Sequence, residues 1–497
     1  MASSLLFLRS APWPRWLALV ALGVAGIPLY QRILGVGSSN VIQGDPFLWP
    51  GLAVTLIAVI GALLVLCTAE AADRRARCIE LGLILAVGLA FRLIFISAAP
   101  AFSHDAYRYA WDAHLVSHGI GPYSHTVEDP TLLSLRDGAI WPKLNWRDAP
   151  TIYPPGAQVF FLLIHAVAPL NIEAVKLAMA LCDLGVGVVT LLLLRQQRMD
   201  LRRVIVYWWS PIPILEFVYN AHLDVVAVLL VALALLVAGQ RWRGARALIG
   251  VLLGLAALTK LYPLLFVFAL ARRRDWALFA SLATTLVVIV LPFAALGLGF
   301  GGFLSTYFAQ RYVDQGILLR LYNALILSRS LQVALLGASL LAFCALTVWL
   351  RARRGLSSTA ALLLLSVAWI TLSPHLFPWY IAAPLPFVAL CLRLPMRADV
   401  GSACALGLWL FALAMPFTYV IFAPGHNPNL FIWFFLIPAA LAAPVIRAIT
   451  TRHNRPGIHL PAHLRPQPAA PFGRTYEGVI RCQRNVYSRP LVSFASR

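Results

Sequence analysis

LWPGLAVTLIAVIGALLVLCT, residues 48–68, contains no charged side chain, and a short AEAA link carries it into Asp73, Arg74, Arg75 and Arg77. At about 1.5 Å of rise per residue, a helix of that length crosses the roughly 30 Å hydrocarbon core of a bilayer. Arginines directly after such a run mark a cytoplasmic end under the positive-inside rule. The same alternation of apolar run and Arg cluster recurs along the chain. It predicts an all-α, polytopic transmembrane helical bundle.

Composition points the same way. Of 497 residues, 61% are apolar and 12% charged, with a mean hydropathy of +0.80. Soluble domains run at about 45–50% apolar and 25% charged, so a water-soluble enzyme, a disordered chain and a disulfide scaffold are excluded. The chain carries 40 Lys and Arg against 19 Asp and Glu, a net charge of +21. These basic residues sit in short clusters between apolar runs and form no stripe with interleaved aromatics, so no nucleic-acid partner is indicated. The seven cysteines lie mostly in or beside apolar runs and form no CxxC, which argues against a zinc site or a disulfide framework.

Tracing the runs gives about 12 to 14 helices. Residues 16–34 are longer than the apolar core of about 7–15 residues in a signal peptide and read as an uncleaved first span. Residues 48–68 return, 79–98 go out, and 99–155 form a long polar loop holding six acids, including Asp105, Asp112 and Asp148. Residues 156–170 are too short to cross. Residues 172–194 return to Arg195, Arg198, Arg202 and Arg203. Residues 204–219 and 223–239 then go out and back around Asn220, His222 and Asp224. Residues 247–271 lie between two basic clusters, and a bent helical pair broken near Pro263 satisfies both, with Lys260 and Tyr262 at its tip. A second outer segment, 299–330, carries Arg311, Asp314 and Arg320, and an outer turn spans Pro374 to Tyr380. The last spans are 403–422 and 430–447. The domain reading is therefore 1–78, two N-terminal spans; 79–450, a membrane module with the outer loop 99–155; and 451–497, a basic, disordered cytoplasmic tail.

The chemistry-bearing residues gather at the outer turns. The long loop opens Ser103-His104-Asp105-Ala-Tyr107-Arg108-Tyr109-Ala-Trp111-Asp112. On a helix, Asp105, Arg108 or Tyr109, and Asp112 share one face. This is either a charge ladder holding a helix end or a polar site. Asp105 sits where a span reaches the outer boundary, and a carboxylate bordering both lipid and water suits a base acting on a polar acceptor beside a lipid-borne donor. Lys260, a charge at depth in a helical region, is a functional candidate or a snorkelling side chain. His222 and Asp224 are a site or a helix cap. Trp379 and Tyr380 line a site or belong to an interfacial belt. Arg92 and Asp183 lie within spans, where an unpaired charge is costly, so they are expected to pair or face a polar cavity.

The stretch His104-Asp105-Ala-Tyr107-Arg108-Tyr109-Ala-Trp111-Asp112, then Gly119-Ile-Gly-Pro122-Tyr123 and Thr151-Ile152-Tyr153-Pro154-Pro155, resembles the GT-C superfamily. The likeness is to bacterial polyprenyl-phosphate-sugar-dependent transferases of the mannosyltransferase type. Asn220-Ala-His222-Leu-Asp224, Thr259-Lys260-Leu-Tyr262-Pro263 and Ser373-Pro374-His375-Leu-Phe-Pro378-Trp379-Tyr380 follow in the expected order over roughly residues 85 to 395. Two positions depart from the family pattern: His104 stands where an Asp is usual, and Ala113 where a Gly is.

The resemblance implies an inverting hexosyltransferase, in the inner (plasma) membrane, working on its extracytoplasmic face. The donor is a polyprenyl-phosphate sugar, with mannose the first candidate, and the acceptor is a glycan or lipid. Asp105 would be the general base. Lys260, His375 and Arg311 or Arg320 would be candidates to hold the donor phosphate. His104, Arg108, Tyr109, Asp112, Tyr153, His222, Asp224, Tyr262, Trp379 and Tyr380 would complete the substrate site. No cofactor is certain, and a divalent metal remains possible. The competing function is a multi-span transporter or lipid flippase, which would place its ionisable groups near the midplane of repeated halves.

Overall fold

The computed structural model describes residues 12–36, 45–70, 73–299, 317–394 and 399–421. The basic tail, the expected span 430–447, and Arg311 and Asp314 lie outside the described residues.

Among the described residues every regular element is helical and there is no strand. Six helices among these residues are long and apolar enough to cross a membrane. They are α1 (Trp13–Gly35), α2 (Asp45–Leu66), α6 (Ile172–Gln196), α9 (Trp276–Ala295), α11 (Arg329–Arg354) and α13 (Val400–Ala414) together with the turn that continues it to Phe417. A seventh is a broken pair, Pro211–Tyr219 and α7 (Asp224–Ala238), bent by 119°. The chain is thus a polytopic helical membrane protein.

Among the described residues, which leave out the expected span 430–447, the helices long and apolar enough to cross are fewer than the 12 to 14 helices read from the sequence, for physical reasons. Helix α3 (Arg74–Leu93) has 20 residues but carries three arginines in its first turn, Glu80 and Arg92. Helices α5 (Pro155–Val167), α8 (Ala245–Thr259) and α12 (Ser358–Leu372) have only 13 to 15 residues. Thirteen residues of helix cover about 20 Å, so α5 is too short to cross, as expected.

The lipid-facing surface is evident on α9 and α11, which leave most of their apolar side chains uncovered; Leu341 is 72% exposed. An apolar surface of this extent is untenable in water and ordinary against acyl chains. The interior is the reverse. Helices α7 and α12 are buried along most of their length, and the buried Trp208 and Trp209 pack on α3, donating to the carbonyls of Leu85 and Ile84.

Charges inside this apolar body are paired or held by backbone carbonyls among the described residues. Glu80 bridges Arg15 (3.3 Å) and Arg202 (2.8 Å), tying α1 and α3 to the chain after Asp200. Arg92 meets Asp183 at 2.5 Å, Tyr207 donates to the same carboxylate, and the guanidinium lies 3.8 Å from the Trp208 ring centre. The expected pairing of these two intramembrane charges is therefore present. Lys176 donates to the carbonyls of Phe95 and Ala98 in the turn past the end of α3.

Helix α3 sets the depth of the site. Its N-terminus carries the Arg74–Arg77 cluster. Its other end, about 30 Å away, leads through Ser103 into α4 (Asp105–Ser117).

Candidate active site

Asp105 is the first residue of α4. The loop from 118 to 154 folds back over this helix and brings two donors to its carboxylate. Asn145 Nδ2 donates to Oδ1 at 2.9 Å and the Tyr153 hydroxyl donates to Oδ2 at 3.0 Å. The Asp105 side chain keeps 16% exposure. Burial, and then the charge on Asp105, pushes the Tyr153 hydroxyl well above its ordinary range, so it remains a donor.

The loop is pinned by a second cluster. Arg108 pairs with Asp112 at 2.8 Å and donates to the carbonyls of Trp146 and Ala149. Asp112 also accepts from Thr151 and from Gln158 (3.2 Å). Both charges are buried and engaged on protein partners. This network holds the strand of loop from 146 to 153 along α4, and so sets where Tyr153 stands. Tyr109 stacks on Phe161 and accepts the backbone N–H of Leu223 at 3.2 Å, fixing α4 to the break before α7.

That break is built from irregular backbone. Ile214–Tyr219 is wound as a π-helix, and Ala221 adopts a left-handed conformation (φ +57°), which for a residue with a Cβ costs roughly 1–2 kcal/mol. Asn220 accepts the N–H of Phe102 and donates to Glu216 at 3.3 Å, locking the turn to the chain entering α4. The turn carries His222, fully buried, with Nε2 3.9 Å from Asp105 Oδ2 and Nδ1 3.0 Å from Glu216 Oε2.

The second break lies at the end of α8, where Lys260 takes an extended conformation after Thr259; the chain resumes as a short helical turn at Tyr262–Phe266. The bend expected near Pro263 is thus present, three residues earlier. Gly156 permits it, since a Cβ there would meet the Leu258 carbonyl oxygen at 2.9 Å, so α5 can pass directly against the end of α8. Lys260 Nζ is 3.2 Å from Asp224 Oδ2, and Asp224 is buried while the Lys260 side chain keeps 17% exposure. The ammonium also lies 5.4 Å from the Tyr153 ring and 6.0 Å from the Tyr380 ring.

The turn after α12 closes the circuit. Trp379 stacks on His222 with ring centres 3.8 Å apart, Phe377 stacks on its neighbour Trp379, and Tyr262 stacks on Trp369, which in turn packs on Tyr380. Asp105, Tyr153, Lys260, Tyr380, Trp379 and His222 therefore form a closed ring of neighbours, drawn from α4, the loop and three chain breaks. One carboxylate and one ammonium keep partial exposure, and aromatic faces stand between them.

Other candidates fall outside this ring. His104 is exposed at the N-cap of α4, its ring 5.8 Å from Tyr107. His375 is buried, and its carbonyl accepts from the Ser373 hydroxyl at 2.6 Å. Arg320 lies on α10 (Ile317–Ala324), and its side chain is outside the described residues. Among the described residues no group of three or more His, Cys, Asp and Glu is arranged to hold a metal. Glu216, Asn145 and Tyr419, whose hydroxyl donates to Glu216 at 2.7 Å, are site neighbours that the sequence reading missed. Glu216 could have been found, as an acid inside the apolar run 204–219.

Away from the ring, His114, His118 and His165 crowd together, with ring centres 4.5 and 5.5 Å from His114. Burial, then the charges of His118 and His165, lowers the His114 pKa; burial, then His118, lowers that of His165. Groups held neutral in the fold resist protons that the unfolded chain accepts, so stability falls as pH drops below the ordinary histidine value of about 6.5. The melting temperature is expected to fall between pH 7.5 and 5.5, and His114→Gln to flatten that slope. Equal slopes in wild type and variant would refute this origin.

No curated protein matches the chain. Residues 151–378 match Glycosyltransferase family 87, a GT-C family. The matched region holds Tyr153, His222, Asp224, Lys260, Tyr262 and His375, and it stops before Trp379 and begins after Asp105. The match supports a glycosyltransferase role for this membrane-embedded chain.

Proposed function

We propose that the chain transfers a sugar from a polyprenyl-phosphate donor to a hydroxyl of a glycan or lipid acceptor, with inversion, on the extracytoplasmic face of the membrane. Mannose is the first sugar to test. The observation that carries this reading is the ring linking Asp105 to Lys260 through Tyr153. A base and a fixed positive charge flank one aromatic side chain, which suits attack at a sugar carbon on one side and departure of a phosphate on the other. In this reading α3, 20 residues long with Glu80 and Arg92 both ion-paired, crosses with its arginine-rich end in the cytoplasm, as the positive-inside rule favours, and its other end leads to Asp105.

Asp105 would take the acceptor proton as its oxygen attacks C1, and Asn145 and Tyr153 hold the carboxylate for this. Lys260 would stabilise the charge that develops on the leaving phosphate. Asp224 fixes one side of the ammonium and leaves its remaining N–H groups for the ligand. Trp379 and Tyr380 offer faces on which sugar C–H groups pack. Arg108 and Asp112 serve by holding the loop, and Tyr109 by holding the break before α7.

Removing one preorganised donor to a developing oxyanion typically costs 10²–10³ in rate. Lys260→Met is expected to lower kcat/KM for the donor by about that factor. Because the substitution strands a buried carboxylate, Lys260→Met combined with Asp224→Asn should restore the melting temperature without restoring transfer. Wild-type kcat/KM in that double variant would remove Lys260 from the phosphate site.

The function is tested in proteoliposomes holding radiolabelled polyprenyl-phosphate mannose, with membrane extract as acceptor. Label is expected to leave the lipid donor for a new product, and a nucleotide-sugar donor to give none. Translocation of the intact donor without product would make the protein a flippase and overturn the reading.

A further inference from the structure

We propose that His222 and Glu216 form a proton relay behind Asp105; this rests on the reading of Asp105 as the base. Glu216 is fully buried in the π-helical turn, and every polar partner it has among the described residues is a donor. Tyr419 donates to Oε1 at 2.7 Å, Asn220 donates to Oε2 at 3.3 Å, and His222 Nδ1 stands 3.0 Å from Oε2. The negative charge 3.0 Å from Nδ1 favours the imidazole tautomer with its hydrogen there, although the pair is not aligned as a hydrogen bond in this structure. The Nε2 lone pair is then left facing Asp105 Oδ2 across 3.9 Å.

Two features separate this from ordinary packing. Both ring nitrogens of His222 are buried without an aligned hydrogen bond, whereas buried polar groups in a static core are nearly always bonded. The ring is also covered by the stacked Trp379 face, with Nδ1 toward Glu216 and Nε2 toward Asp105. A modest rotation of the partly exposed Asp105 side chain closes the gap to Nε2.

The steps balance. The acceptor O–H bond breaks as its oxygen bonds to C1, and Asp105 Oδ2 takes the proton. The bond from C1 to the phosphate oxygen breaks, and its electron pair leaves on the lipid phosphate. The Asp105 O–H bond then breaks, the proton bonds to Nε2, and Asp105 is a carboxylate again. The imidazolium is held by Glu216 until product leaves, when the proton returns through Asp105 to water. His222 and Glu216 act through Asp105 and so are positioning residues.

The groups facing His222 are Asp105 from α4, Glu216 from the π turn and Trp379 from the turn after α12. Tyr153 and Tyr419 stand behind the two carboxylates, and the Asp224–Lys260 pair follows along α7. The test compares kcat, donor KM and the pH profile of kcat in purified full-length wild type, Glu216→Gln, Glu216→Asp, His222→Gln and Asp105→Asn. Glu216→Gln is expected to lower kcat about 10²-fold with donor KM within threefold. Its acidic limb should move to lower pH, because the imidazolium loses its counter-charge. Glu216→Asp should recover part of both. Where Glu216→Gln does not fold, His222→Gln carries the same expectation for kcat, with the acidic limb set by Asp105 alone. Near-wild-type kcat in Glu216→Gln and His222→Gln, or lowered kcat with an unmoved profile, overturns the relay while an inactive Asp105→Asn leaves the base standing. An active Asp105→Asn overturns the base itself, and the relay with it.

Discussion

Asp105→Asn is expected to abolish sugar transfer while leaving the protein folded. A positioned general base is worth about 10²–10⁴ in rate, which is roughly 3–5 kcal/mol of transition-state stabilisation. The substitution keeps the shape of the side chain and an oxygen for the Tyr153 hydroxyl. It turns the other position into a donor facing the Asn145 amide, and losing one partly exposed hydrogen bond costs about 1 kcal/mol. Rate and stability therefore separate cleanly at this position. Initial rates with labelled donor, read beside thermal melting in detergent, check both. Wild-type turnover in the variant would contradict a base role.

The largest effect on stability is expected at Arg92. Its partner Asp183 is fully buried within α6 and also carries the Tyr207 hydroxyl. Removing one member of a buried pair typically costs 3–5 kcal/mol, because the other charge is left uncompensated in a medium that cannot solvate it. That is a large part of the 5–15 kcal/mol by which proteins are usually stable. Arg92→Leu should lower the melting temperature sharply and reduce the yield of monodisperse protein. Arg92→Leu with Asp183→Leu should recover much of the loss, since the pair together can be exchanged for apolar volume. A single variant that melts with the wild type would show that the ion pair holds nothing.

The fold class was legible because a bilayer leaves few choices: apolar runs of about 20 residues between arginine clusters can only be membrane helices. Periodicity did not enter. What escaped was how runs are broken. Residues 204–219 and 223–239 read as two runs joined around Asn220, His222 and Asp224; the chain does break there, with a 119° bend between Pro211–Tyr219 and α7, while Pro211, Pro213 and the π turn make the first run irregular. The break at Lys260 was legible from charge alone, since basic clusters at both ends of 247–271 left too few residues to cross twice.

The candidate site was legible through its motifs. Asp105, Tyr153, His222, Lys260, Trp379 and Tyr380 are far apart in the chain and were named from short patterns, and the structure makes them neighbours. Arg108 and Asp112 share those patterns, and they sit in the buried network that pins the loop. Asn145 carries no signal, being one polar residue in a polar loop. Tyr419 reads as an ordinary aromatic near a span end. Glu216 is different. The cost of a lone acid in an apolar run drew attention to Asp183, and the same cost applies to Glu216.

The central claim is that a sugar carbon sits between Asp105 and a phosphate held by Lys260. A structure of the full chain bound to a non-transferable phosphonate analogue of the donor tests this directly. Phosphonate oxygens are expected within hydrogen-bond reach of Lys260 and the sugar C1 open toward Asp105, leaving room for an acceptor oxygen about 3–3.5 Å from C1. A headgroup bound away from Lys260, or a sugar turned so that Asp105 cannot reach an attacking hydroxyl, would contradict it.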